Sequence, residues 1–535
     1  MERRTFLAAS AVAGAAVLET ACRSTVAPSA PAAANTAAEY ELDEVSLADI
    51  AAGLAKGRWT SSRLVELYLA RIDAIDRGGP QLGAVVEVNP DAPALARQMD
   101  QERKDTRLRG PLHGIPILIK DNIETGDGMK TTAGSLALAG LQAPQDAFVV
   151  ERLRAAGALI LGKTNLSEWA NFRSTHSISG WSGRGGQTRN PYALDRNPSG
   201  SSSGSGAAAS ASLCAAAIGT ETDGSVTSPS SINGIVGIKP TVGLISRTGI
   251  IPISASQDTA GPMARTVRDV AILLGALTGA DPRDPATAAS QGKAHTDYTP
   301  FLDPKGLNGA RLGIARKFFD NNAPLDRFLS ASVEALKKAG AVVVDPAELP
   351  THGQLDAPEF EVLLYEFKDG LNRYLTRLPA GEVHSLQDLI DYNERNRDRE
   401  MPLFDQELFR QAQAKGALSD PKYIKARTDC VRLSRREGID AILARHKLDA
   451  LVTLTSGPAW YIDRINGDRD TGSCTTPAAV AGYPHITVPA GLYRGLPIGL
   501  SFFGTAWSEP VLLKLAYGWE QETKARRKPA FRPTV

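Results

Sequence analysis

"DAFVVERLRAAGALILGKTN", residues 146–165, contains two kinds of pattern in one segment. Phe148, Val149, Val150 and Leu153 recur at helical spacing behind Asp146, a residue suited to capping a helix start, and Gly157 is a natural stop. "ALILGKTN" then reads as a buried strand. The same order returns as "SVEALKKAG" before "AVVVD" and as "GIDAILARHKL" before "DALVTL", with "HITVPAGL" and "PIGLSFFG" as two further strands near the end. Helix followed by strand, repeated, predicts an α/β protein whose sheet carries helices on both faces. There is no fixed-period repeat and no second composition regime, so residues 39–535 read as one large domain.

With 42% apolar and 22% charged residues in 535, the chain has the balance of a globular protein with a substantial core. Its 60 basic and 59 acidic side chains give a net charge of +1, which leaves no global field for nucleic acid or an anionic membrane. A small neutral substrate fits this better than a polyanion. Four cysteines, at 22, 214, 430 and 474, match neither a disulfide framework nor a zinc spacing, and the seven histidines are dispersed. No metal and no cofactor is expected.

The start, "MERRTFLAASAVAGAAVLETACRS", has a basic head, paired Arg3 and Arg4, and an apolar run from Leu7 to Leu18 that is too short to span a bilayer. It resembles a twin-arginine export signal, which implies a periplasmic or secreted protein. Cys22 is a candidate lipid-attachment site, although Glu19 stands where that pattern takes an aliphatic residue. Ser24 to Ala38 reads as a linker, so residues 1–38 form signal and linker together.

Three stretches carry chemistry. "GIPILIKDN", residues 114–122, is an apolar strand ending in Lys120, and strand ends are where sites lie in open α/β sheets. "NPSGSSSGSGAAAS", residues 197–210, looks like a linker in composition. "GTETDGSV", residues 219–226, places Ser225 among small residues whose backbone N–H groups can approach a ligand closely. A serine hydroxyl needs a base, and no histidine stands in a motif-like setting. Lys120 serves if burial brings its ordinary pKa of ~10.4 toward ~7–8.

Together these stretches resemble the amidase signature family of Ser-Ser-Lys hydrolases, with support from "KTNLSEWANF", "IVGIKPT" and "SQDTAGPMARTVRDVA". The resemblance implies a central mixed, twisted β-sheet covered by helices on both faces. It implies Ser225 as nucleophile, Ser201, 24 residues earlier, as proton relay, and Lys120 as base. Backbone N–H groups of Thr222, Asp223, Gly224 and Ser225 would form the oxyanion hole, and the Gly200–Ser201 peptide bond would be cis.

Within the family, "SEWANF" and "SISGWSGRGGQTRNPY" are most similar to bacterial peptide amidases, which release ammonia from C-terminal peptide amides. A short peptide or small-molecule amide is then the partner, and a monomer is expected. General aryl, aliphatic or fatty acid amide hydrolysis is the alternative, and the role of a subunit in a glutamine-dependent amidotransferase is a weaker one. Many members carry Gly at position 223 and a carboxylate-binding Arg at 227, where this chain has Asp223 and Thr227. Asn171, Asp223 and Thr227 are the candidate substrate-binding residues. Asp258 matches a family motif and reads as structural.

Overall fold

The first strands explain why the sheet is mixed. β1 (Val85–Val88) runs antiparallel to β3 (Leu159–Thr164), which is parallel to β2 (Pro116–Lys120). A short hairpin, β4 (Trp181–Ser182) and β5 (Gly186–Gln187), stands apart. β6 (Ala216–Glu221) is parallel to β2, so β2 has parallel neighbours on both sides, and all five of its residues are buried. A strand in that position reads as an unbroken apolar run, which is what "PILI" is.

β7 (Val236–Lys239), β8 (Thr259–Ala264), β9 (Arg311–Ile314), β10 (Val342–Val344), β11 (Ala450–Leu454), β12 (His485–Tyr493) and β13 (Leu496–Phe503) complete the sheet. Its order is β1-β3-β2-β6-β8-β7-β12-β13-β11-β9-β10, eleven strands among the described residues. The computed structural model describes residues 40–378, 381 and 383–535, and Leu42–Val535 form one compact unit. The export-signal and lipid-anchor readings, Cys22 included, lie outside the described residues.

Helices flank the sheet: Ser203–Ser210 packs on β6, Val267–Leu277 on β8 and Glu509–Thr523 on β12. Residues 146–165 fold as a helix, Phe148–Ala155, and then as β3, with Gly157 in the left-handed region at φ 89°. The helix cap differs from the expectation. Ala147 occupies the N-cap position, and the Asp146 carboxylate instead accepts the Gly126 N–H at 2.8 Å and Arg154 at 2.9 Å. A nearby arginine and a loop amide outcompete the helix end for that carboxylate.

The "SGSGAAAS" run is not a linker. Ser203–Ser210 is a helix with every residue buried, wedged between the ends of β1 and β3 and the Thr227–Ile232 helix. A Cβ on Gly204 would collide with the backbone oxygens of Ala84 and Asn165, and one on Gly206 would sit 3.0 Å from Asn233 Nδ2. Small residues are required by close approach, not by flexibility. Gly204→Ala ought therefore to destabilise the fold by about 1–3 kcal/mol despite the better helix propensity of alanine. A thermal midpoint equal to or above that of the parent protein would refute this packing argument.

A second apolar cluster positions the long helix Asp356–Thr376. Phe367 stacks on Phe409 with ring centroids 5.4 Å apart, and Phe409 meets Trp169 edge-on at 5.7 Å. This fixes the helix beside the strand ends where the site lies.

Candidate active site

Lys120, the last residue of β2, is fully buried. Its Nζ lies 2.8 Å from Ser201 Oγ, 2.9 Å from Thr220 Oγ1 and 3.2 Å from the Thr220 carbonyl. The register that sets Ile119 opposite Ile218 brings Thr220 alongside. A neutral amine satisfies this set: two N–H groups donate to Thr220, and the lone pair faces the Ser201 hydroxyl. Burial brings the Lys120 ammonium down to about 7, against the opposing pull of the Asp258 and Glu221 carboxylates.

Ser201 follows a cis Gly200–Ser201 bond and is buried. Gly200 is crowded by Ser167 Oγ, Asn171 Oδ1 and Ser179 Oγ, so a side chain there has no room. Ser225 stands beside this segment, tied to it through the Ser202 N–H donated to the Ser225 carbonyl at 3.2 Å. The Ser225 hydroxyl makes no side-chain hydrogen bond among the described residues. Lys120 and Ser201 are thus in contact, whereas the step from Ser201 to Ser225 is one of adjacency.

The loop before Ser225 is built as a donor array. Among the described residues the N–H groups of Thr222, Asp223, Gly224 and Ser225 donate no hydrogen bond, whereas the next two, of Val226 and Thr227, donate to Glu221 Oε2 at 2.7 and 2.9 Å. Glu221 thus anchors one side of the turn and leaves four successive donors for a ligand. Gly224 has φ 74°, and a Cβ there would stand 2.9 Å from Thr475 Oγ1, so glycine is required twice over.

A cleft of about 410 Å³ abuts this array. Its lining includes Asn122, Thr220, Thr222 and Asp258 near Lys120, together with Ile250–Ile253, Tyr374 and Arg377. Lys120, Ser201 and Ser225 do not themselves line it. The volume falls in the range of small-ligand sites, roughly 300–1,000 Å³.

The three candidate substrate-binding residues do not line the cleft either. Thr227 is fully buried with its hydroxyl on Glu221 Oε2 at 3.1 Å. The anchor that holds the loop takes its only polar group. The Asp223 carboxyl accepts the Thr476 hydroxyl at 2.6 Å, and burial pushes it up to about 6. The Asn171 amide donates to Ser177 and Ser179 at 2.8 and 3.2 Å, and Asn171 Oδ1 and Ser179 Oγ both crowd Gly200. Asp223 and Asn171 therefore support the turn and the serine segment.

Sequence reasoning missed Thr220 and Glu221. Both lie inside a quoted motif, but nothing in their spacing signals a role, because each depends on strand register and on the fold of the turn. Trp460, Tyr461 and Asp463 form a loop in which Trp460 Nε1 donates to Asp468 at 2.9 Å and the Arg196 guanidinium sits 3.5 Å over the Tyr461 ring.

A mixed sheet that ends in a buried lysine against a serine, facing a loop of free donors, has the build of an amide hydrolase. The chain belongs to the amidase family, whose model, Amidase, matches residues 63–513. A probable amidase of Arabidopsis thaliana is 43% identical over 501 residues, covering 92% of each chain. The solved native peptide amidase of Stenotrophomonas maltophilia superposes with a TM-score of 0.88 at 54% identity, over 92% of this chain and all of that one. A putative amidase of Schizosaccharomyces pombe is 37% identical over 517 residues, covering 92% of this chain and 87% of its own.

Proposed function

We propose that this enzyme hydrolyses the C-terminal amides of short peptides through an acyl-enzyme on Ser225, with Ser201 as relay and Lys120 as base. The observation that carries the mechanism is the fully buried Lys120 amine 2.8 Å from Ser201 Oγ. The Ser225 proton passes to Ser201 Oγ as the Ser201 proton passes to Lys120 Nζ, and Ser225 Oγ bonds to the amide carbon. The oxyanion is met by the four free N–H groups. On collapse the carbon–nitrogen bond breaks, the proton returns through Ser201 to the nitrogen, and ammonia leaves. Water then repeats the cycle on the ester and releases the peptide acid. The Ser201–Ser225 hydrogen bond is made in the substrate complex, as catalytic bonds commonly tighten there.

The substrate assignment rests on the 54% identity to a peptide amidase and on the cleft, whose apolar wall Ile250–Ile253 suits the side chain beside the amide. With a panel of peptide amides, free glutamine, aryl amides and fatty acid amides, ammonia release is expected to be fastest from peptide amides bearing an apolar last residue. Ser201→Ala should slow that reaction by about 10²–10⁴. Faster turnover of glutamine or of a fatty acid amide would reject the substrate assignment.

A further inference from the structure

Thr222, the first residue of the donor loop, is held at two points by consecutive side chains. Its hydroxyl donates to Asp258 Oδ1 at 2.6 Å, and its carbonyl accepts Gln257 Nε2 at 3.3 Å. The other oxygen of the same carboxylate, Asp258 Oδ2, accepts the N–H groups of Ile253 and Ser254, both at 2.8 Å. Ile253 belongs to the apolar cleft wall. One carboxylate therefore ties the wall that meets the substrate to the loop that meets the oxyanion.

The long helix packed on this wall joins the same frame. Gln257 Nε2 also donates to Glu359 at 2.8 Å, and Glu366 Oε2 accepts Ser254 Oγ at 2.6 Å and the Ser256 N–H at 2.9 Å. Both glutamates lie on the Asp356–Thr376 helix, whose last turns supply Tyr374 to the cleft. Thr222 is thereby linked to both segments through the Gln257 amide and the Asp258 carboxylate.

We infer that Asp258 is a positioning residue for the hydrolysis, setting the oxyanion loop through Thr222 according to how the Ile253–Ser254 wall is held, so that a substrate filling the wall is turned over faster. This rests on the function proposed above. Asp258 also carries charge that acts on the base. Burial pushes the Asp258 carboxyl up to about 6, against hydrogen bonds from Thr222, Ser254 and Ile253 and the Arg247 charge; where it is ionised, Asp258, just ahead of β8, together with Glu221, at the end of β6, favours the Lys120 ammonium. Removing the Asp258 charge lowers the pKa of Lys120, so the pH at which the base becomes neutral falls.

Two independent variants test this, each assayed after a melting curve shows it folded. Thr222→Val keeps the backbone donor and loses only the hydroxyl. It is expected to lower kcat roughly 10- to 100-fold, the cost of small misplacement, with little change in KM. Thr222→Ser, which restores a hydroxyl, should recover most of that loss. Asp258→Asn should lower kcat similarly and also move the acid limb of kcat/KM to lower pH.

In both Thr222→Val and Asp258→Asn, the kcat advantage of a leucine-terminated peptide amide over glycinamide should shrink. Equal kcat in Thr222→Val and Thr222→Ser, or an unmoved acid limb in Asp258→Asn, overturns the inference. Should one variant fail to fold, the other decides. A wild-type enzyme that releases no ammonia from any amide would instead defeat the functional reading, so the two failures are told apart.

Discussion

Ser225→Ala is expected to lower kcat by about 10⁴–10⁶, the loss seen when a serine hydrolase is deprived of its nucleophile. The change removes one oxygen from a residue 9% exposed and adds nothing, so no clash arises. The free N–H groups of residues 222–225 remain, as does the Ser202 bond to the Ser225 carbonyl. The cleft is untouched, because Ser225 does not line it. Substrate binding should therefore persist, with KM changed only severalfold, while the chemical step is lost. Mass spectrometry gives a second readout: a phosphonylating serine reagent should modify the wild-type enzyme at Ser225 and leave the variant unmodified. Turnover above about one per cent of wild type in the variant would mean that another hydroxyl attacks, and Ser201 would then have to be reconsidered.

Local features of the fold were legible because they depend on neighbours in sequence. The strand ending at Lys120, the helix over residues 148–155 and the strand of 159–164 follow from apolar periodicity and from where glycine and charge interrupt it. The order of the sheet was not readable, because β8 and β7 lie between β6 and β12 through long-range pairing that no single segment records. Asp146 shows the limit at short range: its sequence position marks a cap, but a loop amide and an arginine brought close by the fold hold its carboxylate.

In the site, Lys120 and Ser201 were named from motifs, and the structure places them in contact. What holds them was not named. Thr220 acts through register, Glu221 through a turn that folds back on it, and Gln257 and Asp258 through contacts to residues 35 and 36 positions earlier. Thr227 stands where the family carries a longer arginine, and its short hydroxyl bonds to Glu221, a partner that only the fold of the turn brings within reach.

Lys120→Arg separates a base from a structural cation, and it should be as inactive as Lys120→Met, at least 10³-fold below wild type, at every pH up to 9. A base must be neutral to accept a proton. Below about 7 the Lys120 amine is protonated, so kcat/KM of the wild-type enzyme should rise with pH through about 7 and then level off. Arginine keeps a charge and donors for Thr220 but does not lose its proton in proteins, so it offers Ser201 no lone pair. Burial alone does not make a base. Lys163 and Lys239 are equally buried, and burial brings both down to about 8, yet their amines face the Ile123 carbonyl and Thr131, and the Pro240 carbonyl. None of those partners is a serine beside a nucleophile. An arginine variant that retained activity, or a wild-type profile flat between pH 5 and 9, would remove the lysine from the proton path and leave Ser201 without a base.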